Sequence, residues 1–448
     1  MQKYLIKNIN IVNENKIVTA DVLIDEERIK KIAPQISLPA SKYIEINGEG
    51  KYLFPGVIDD QVHFREPGLT HKATISSESR AAVTGGVTSF MEMPNTIPAA
   101  LTQELLEDKY KIAAQSSMAN YSFFMGTSND NADEVLKTND RRNEICGIKI
   151  FMGASTGNLL VDNYLTIDKI FRESEVLIAT HCEEEGIIKE SYQRIKAEKQ
   201  DLQPGDHPLI RDEDACFESS FKAVQLAKKH NTRLHILHIS TEKELQLFTN
   251  FFPLKDKRIT AEVCVHHLHF TADDYERLGY KIKCNPAIKA PQNKEALWKA
   301  LLDDRLDIIA TDHAPHLLTE KEPPYEHAHA GLPLVQHSLL LMLHYYKLGR
   351  ISLEKIAQKM SHAVADCFQI AERGYIREGY AADLVIVDLD KSFTVSSDNI
   401  FYKCGWSPLE GETFPASVSH TFVNGNLVYE NGKVIESHRG KRLLFNRS

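Results

Sequence analysis

An α/β architecture, a (β/α)8 barrel carrying a small β-sandwich built from both chain ends, is what this sequence of 448 residues predicts. Three observations carry that expectation. Apolar strand-like runs alternate with helix-like stretches through the middle of the chain. About eight such runs can be found, the number a closed barrel needs. Ionisable side chains gather near the ends of these runs, where barrel enzymes build their sites.

The elements follow in order. Tyr4 to Ile46 shows short alternating runs (YLIKNINIV, TADVLID, KYIEI) split by polar turns, the pattern of a small antiparallel sheet. Segment 1–54 is therefore read as the N-terminal part of the β-sandwich. Residues 55–375 form the barrel, with strands expected at VIDDQVHF, TSFMEMP, YSFFMG, GIKIFMG, EVLIATHC, LHILHIS, TAEVCVHH and IIATDHA. Stretches such as CFESSFKAVQLAKKH and NKEALWKALLDD carry helical periodicity and should cover parallel strands. Residues 376–448 return to strand patterning in ADLVIVDLD and SHTFVNGNLVYENGKVI. Asn424-Gly425 and Asn431-Gly432 mark hairpin turns there, and this part completes the sandwich.

Composition limits the function. The chain is 42% hydrophobic and 26% charged with net charge -9, and its Lys and Arg are scattered, which argues against nucleic acid or an anionic membrane as partner. No run has the length of a membrane span, and the first residues lack the order of a secretory signal. A cytoplasmic protein acting on a small molecule is the expectation. Seven cysteines stand singly without a C-x-x-C pair, which fits reduced thiols.

The segment PGVIDDQVHFREPG, Pro55 to Gly68, delivers His63 and Arg65 to the mouth of a buried strand. Together with His181, His238 and Asp312, each at a run's end, His63 offers the nitrogen and oxygen donors that a divalent metal such as zinc prefers. Lys149, inside GIKIFMG, would carry a large desolvation cost as an unpaired ammonium. Burial favours its neutral amine, which can add carbon dioxide to become a carbamate. Pairing with a buried carboxylate is the competing reading. Arg65 can grip an anionic substrate through a bidentate fork.

The ordered set PGVID..VHFREPG, MEMPNTIP, GIKIF, THCEEE, LHILHIST, EVCVHHL, KCNPAIK, ATDHAPH, KCGWSPLEG and TFVNGNLVYENG resembles the long, class I type of dihydroorotase within the amidohydrolase superfamily, over nearly the whole chain. The resemblance implies a TIM-type barrel with two zinc ions bridged by carboxylated Lys149. His63, Lys149 and Asp312 would hold one ion, and Lys149, His181 and His238 the other. It implies the reversible closure of N-carbamoyl-L-aspartate to L-dihydroorotate in pyrimidine biosynthesis. Asp312 would serve as general base and then general acid in hydrolysis of the ring amide. Asn95, Asn285 and His316 would join Arg65 on the substrate carboxylate, with a backbone contact from Gly331. Turn formation beside Pro94 and Pro286 competes for the two Asn, and a solvated loop for His316.

The sequence departs from the pattern at Gln61, where the family has a His; an amide oxygen is a neutral and weaker ligand. Two other functions stay open: a catalytically silent scaffold for a partner such as aspartate transcarbamoylase, and an allantoinase or dihydropyrimidinase. A homodimer fits the family. His235, His266, His267 and His269 are assigned to structure, strand-end packing and supporting hydrogen bonds. The long polar loop from His313 to Gly331 is expected to close over the substrate.

Overall fold

Eight parallel strands form the centre of the computed structural model, which describes residues 2–39, 42–153, 158–436 and 438–447. In chain order they are β1 (Val57–Val62), β2 (Val87–Glu92), β3 (Asn120–Gly126), β4 (Gly147–Phe151), β5 (Ile178–His181), β6 (Leu234–Ile236), β7 (Ile259–Cys264) and β8 (Ile308–Ala310). Each pairs with the next, and their residues are buried almost without exception, as expected of strands covered on both faces. The ring closes where Val62 bridges to His313 and the His63 amide donates to the His313 carbonyl at 2.7 Å.

Helices occupy the connections. Ile75–Thr84 starts on a Thr74–Ser77 capping box. Glu213–His230 is capped by Asp212 and ends on Asn231, at φ 55°. Pro291–Leu302 begins with its proline, where no amide partner is needed. Both expected helical stretches therefore form. No helix among the described residues is long and apolar enough to cross a membrane.

The two ends of the chain combine in one nine-stranded sheet. Its order runs Lys433–Val434, Asn426–Glu430, Ser417–Val423, Leu384–Asp388, Tyr52–Pro55, Tyr4–Asn13, Lys16–Asp25 and Arg28–Ala33, with Ile44–Asn47 alongside Tyr4–Asn13. Both Asn-Gly pairs have positive φ at both residues, 48° and 72° at Asn424-Gly425 and 44° and 92° at Asn431-Gly432, as a type I′ hairpin requires. This sheet also positions the site: Tyr52–Pro55, held by Leu384–Asp388, runs directly into β1. All seven cysteines are free thiols.

Candidate active site

A cavity of about 270 Å³ opens at the carboxyl end of the barrel strands. Every residue singled out above for metal or substrate contributes to its wall: Gln61, His63, Arg65, Asn95, Lys149, His181, His238, Asn285, Asp312, His316 and Gly331. A wider groove of about 910 Å³ adjoins it and shares Arg211, Asn285, His329 and Ala330 with it. Arg65, His238 and Asp312 have φ of 68°, 39° and 47°. Three non-glycine residues in the left-handed region mark sharp turns just beyond the strands, a conformation retained where the surroundings enforce it.

On one side, His63 Nε2 lies 3.1 Å from Asp312 Oδ1, while its Nδ1 lies 2.7 Å from Asn95 Oδ1. Burial pushes the Asp312 carboxyl up. The His63 hydrogen bond and charge, with His266 and His181 beyond, outweigh burial and leave it below its ordinary value. Gln61 Nε2 donates to Asp312 Oδ1 at 3.3 Å, and its Oε1 accepts from the Cys264 thiol at 3.6 Å. Gln61 thus spends both ends of its amide within the protein.

Opposite, His181 Nδ1 meets His238 Nε2 at 2.9 Å, and His181 Nε2 contacts Glu183 Oε2 at 2.9 Å. Arg211 pairs with the same Glu183 oxygen. Glu183 stays ionised: burial raises its carboxyl, but Arg211 and His181 bring it down to about 2. His238 Nδ1 is buried without a partner.

Between the two groups lies Lys149, 1% exposed. Its Nζ sits 4.4 Å from the centre of the Phe151 ring, and no carboxylate among the described residues comes within ion-pair distance. The buried ion pair weighed as the competing reading does not form. Desolvation brings its pKa down to about 7, so the neutral amine is readily available. A partnerless lysine, an orphan imidazole nitrogen and three converging imidazoles with a carboxylate suit divalent metal ions bridged by a carbamate.

Arg65 occupies the outer wall, 7% exposed. Its Nε donates to the Pro315 carbonyl at 3.1 Å, and its NH2 group lies 3.0 Å from His316 Nε2, which itself faces the Ala330 carbonyl. No carboxylate among the described residues pairs with this guanidinium, and burial lowers its pKa to about 10. His316 is no solvated loop residue: it is buried, bonded also by Lys72 Nζ at 3.0 Å. Asn285 meets His207 Nε2 at 3.1 Å through Oδ1. Asn95 and Asn285 therefore face the cavity as well as bordering prolines.

The loop of residues 313–331 is strapped down over one edge of the site. Lys321 Nζ donates to the carbonyls of Lys283, His329 and Gly331 at 3.1, 2.7 and 2.9 Å, and Trp406 Nε1 donates to the His316 carbonyl. Gly331 has φ 137°, and a Cβ there would lie 2.5 Å from the Ala314 carbonyl oxygen, so only glycine fits. Its N–H is spent on the Lys283 carbonyl at 2.8 Å and its carbonyl oxygen already accepts from Lys321 Nζ, so both backbone groups of Gly331 are engaged within the protein.

Lys72, Glu183, Arg211 and His329 escaped the sequence reading, although THCEEE places Glu183 two residues beyond His181 and so on the same side of an extended segment. His235 lies in the barrel interior, 3.1 Å from Glu262 and 3.4 Å from Asp60, away from the cavity wall. His269 bonds Tyr345 and Glu412, far from the site. The VHHLH stretch is a short helix, Val265–His269, and not the end of a strand.

A closed parallel barrel with an ionisable cavity at its carboxyl rim has the form of a barrel enzyme. The match of the amidohydrolase family model to residues 52–428 makes the assignment definite: the chain belongs to the amidohydrolase family. An allantoinase from Desulfitobacterium hafniense is 30% identical over 449 residues, covering 98% of each chain. A dihydroorotase from Pyrococcus horikoshii is 31% identical over 432 residues, covering 96% of this chain and 93% of its own. Among solved structures, the L-hydantoinase (dihydropyrimidinase) from Arthrobacter aurescens superposes with a TM-score of 0.92 at 26% identity over 100% of both chains. The protein is a cyclic amidohydrolase of the dihydroorotase, allantoinase and hydantoinase type.

Proposed function

We propose that the protein is a dihydroorotase, interconverting N-carbamoyl-L-aspartate and L-dihydroorotate. The observation that carries this reading is Arg65: a buried guanidinium on the cavity wall with no carboxylate among the described residues to pair with. Such a group favours a substrate that brings its own carboxylate. Dihydroorotate carries one on the ring; allantoin, hydantoin and dihydrouracil do not. His316 and Lys72 support the same end of the site, and the amides of Asn95 and Asn285 complete it.

His63, carboxylated Lys149 and Asp312 would hold one zinc ion, and Lys149, His181 and His238 a second, with Gln61 braced against Asp312 and adding at most its amide oxygen. Bound there, the metals would polarise the ring carbonyl and acidify a water. Asp312, ionised at neutral pH, takes the proton from the attacking water and returns it to the ring nitrogen as the C–N bond breaks. In the closing direction the same carboxyl runs the steps in reverse. Glu183 fixes the His181 ring, and Asn95 fixes that of His63.

The test is turnover of dihydroorotate, followed by its loss of ultraviolet absorbance, against allantoin, hydantoin and dihydrouracil. Arg65 has five N–H donors, of which Nε–H is committed to the Pro315 carbonyl, so two of the remaining four can meet a carboxylate. At about 1.5–3 kcal/mol per charged hydrogen bond, Arg65→Ala should lower kcat/KM for dihydroorotate by at least ~10²-fold. Faster turnover of a neutral ring than of dihydroorotate would overturn the assignment.

A further inference from the structure

Beneath the cavity, the strand-to-helix junction at the end of β7 brings Cys264, His266 and His267 together, with one ligand atom from each lying within 4.8 Å of the others. None of the three lines the cavity, yet Cys264 touches Gln61, which does. All are buried: Cys264 is fully enclosed, His266 is 1% exposed and His267 3%. Supporting hydrogen bonds do not account for these imidazoles. His266 faces the Thr311 backbone carbonyl without a well-aligned hydrogen bond to either ring nitrogen, and His267 Nδ1 has no partner. His267 Nε2 meets the Pro286 carbonyl at 3.1 Å, which fixes the tautomer that leaves Nδ1 as a bare lone pair. A ring held by one nitrogen on a carbonyl, with the other free, is how metal-binding histidines are oriented.

We propose that Cys264, His266 and His267 form a second, separate metal site, for a borderline-soft divalent cation such as zinc. Tetrahedral zinc, with bonds of about 2.3 Å to sulfur and 2.0 Å to nitrogen, needs ligand atoms roughly 3.5 Å apart. The three donor atoms already lie within 4.8 Å of one another, so binding requires them to close by about 1 Å. Gln61 Oε1, 3.6 Å from the Cys264 sulfur, is a neutral oxygen beside the cluster. The Glu262 carboxyl, with Oε1 3.9 Å from the same sulfur, places a further oxygen beside the cluster. On binding, Cys264 gives up its thiol proton to solvent and ligates as the thiolate. Loss of the thiol proton frees Gln61 Oε1 from Cys264 while the amide nitrogen stays on Asp312, so Gln61 links the two centres and offers the cation a neutral oxygen.

The sulfur makes the test specific, because the catalytic set of His63, Lys149, His181, His238 and Asp312 contains none. Full-length protein is stripped and reloaded with cobalt(II) or zinc alone. Cobalt should give a thiolate charge-transfer band in the near ultraviolet, and X-ray absorption of the zinc form should show a sulfur neighbour at about 2.3 Å. Cys264→Ser should lose the band and one metal equivalent, and His266→Gln should weaken both. Should Cys264→Ser fail to fold, the wild-type sulfur neighbour and its loss in His266→Gln decide the matter. Nitrogen and oxygen neighbours only, or a band that survives Cys264→Ser, would overturn the proposal.

Discussion

Replacing Lys149 by Met in the metal-free protein should stabilise it, and by an amount that depends on pH. The ammonium is enclosed by the barrel, and desolvation lowers its pKa from 10.5 to about 7. The unfolded chain therefore binds the proton more tightly than the folded one. Folding loses about 1.36 kcal/mol per pH unit of that difference, so the destabilisation is fully present below about pH 7 and fades as pH rises to 10.5. For a shift of roughly 3.5 units this comes to about 4 kcal/mol at pH 7, about 1 kcal/mol near pH 9.5 and nothing above 10.5. Methionine fills similar space without a charge. At about 2.1 cal/mol/K per residue, a chain of 448 residues has an unfolding entropy near ~0.9 kcal/mol/K, so Tm should rise by about 4–5 °C at pH 7 and by about 1 °C at pH 9.5. Scanning calorimetry in chelator and carbonate-free buffer reads both values. Adding zinc and bicarbonate should reverse the order, because the carbamate on Lys149 ties metal binding to the folded state. Equal shifts at the two pH values, or none at pH 7, would refute the claim that a desolvated ammonium lies at the centre of this barrel.

Further outcomes follow from individual contacts. Asp312→Asn should lower kcat by about 10³-fold or more while the protein stays folded, since the amide cannot take the proton; activity and circular dichroism on one sample check this. Glu183→Gln removes the anion that orients His181 and pairs with Arg211, and metal affinity should fall by about 10–100-fold in competition with a chromogenic chelator. Glu92→Gln leaves the Lys109 ammonium, 2.7 Å away and 1% exposed, without its counter-charge and weakens the hold on the Phe64 amide next to Arg65; a loss of about 3–5 kcal/mol should appear as a lower melting temperature. Lys321→Met removes two hydrogen bonds to carbonyls of its own loop and one that ties the loop to Lys283, so limited proteolysis should cut residues 313–331 faster in the variant than in the wild type.

The sequence alone determined the barrel strands, the pairing of the two chain ends and the cavity's principal residues. The physical reason is local: a strand buried on both faces must read as an unbroken apolar run, and a polar residue at its end is conspicuous against that background. Asn424-Gly425 and Asn431-Gly432 were equally legible, because a type I′ turn needs positive φ at two adjacent positions. What only the tertiary structure decided is who meets whom across the ring. Lys72 lies on the turn after β1 and His316 after β8, and nothing in either segment announces the other. Gln61 looks in sequence like a weakened metal ligand, whereas the fold engages it between Asp312 and Cys264, from β1 to the end of β7. Lys149 could have been paired or alone; the barrel leaves it alone with Phe151. VHHLH carried no sign of its surroundings, because the partners of a buried imidazole are set by the packing around it, and only the fold sets His267 on the Pro286 carbonyl with its Nδ1 unpartnered.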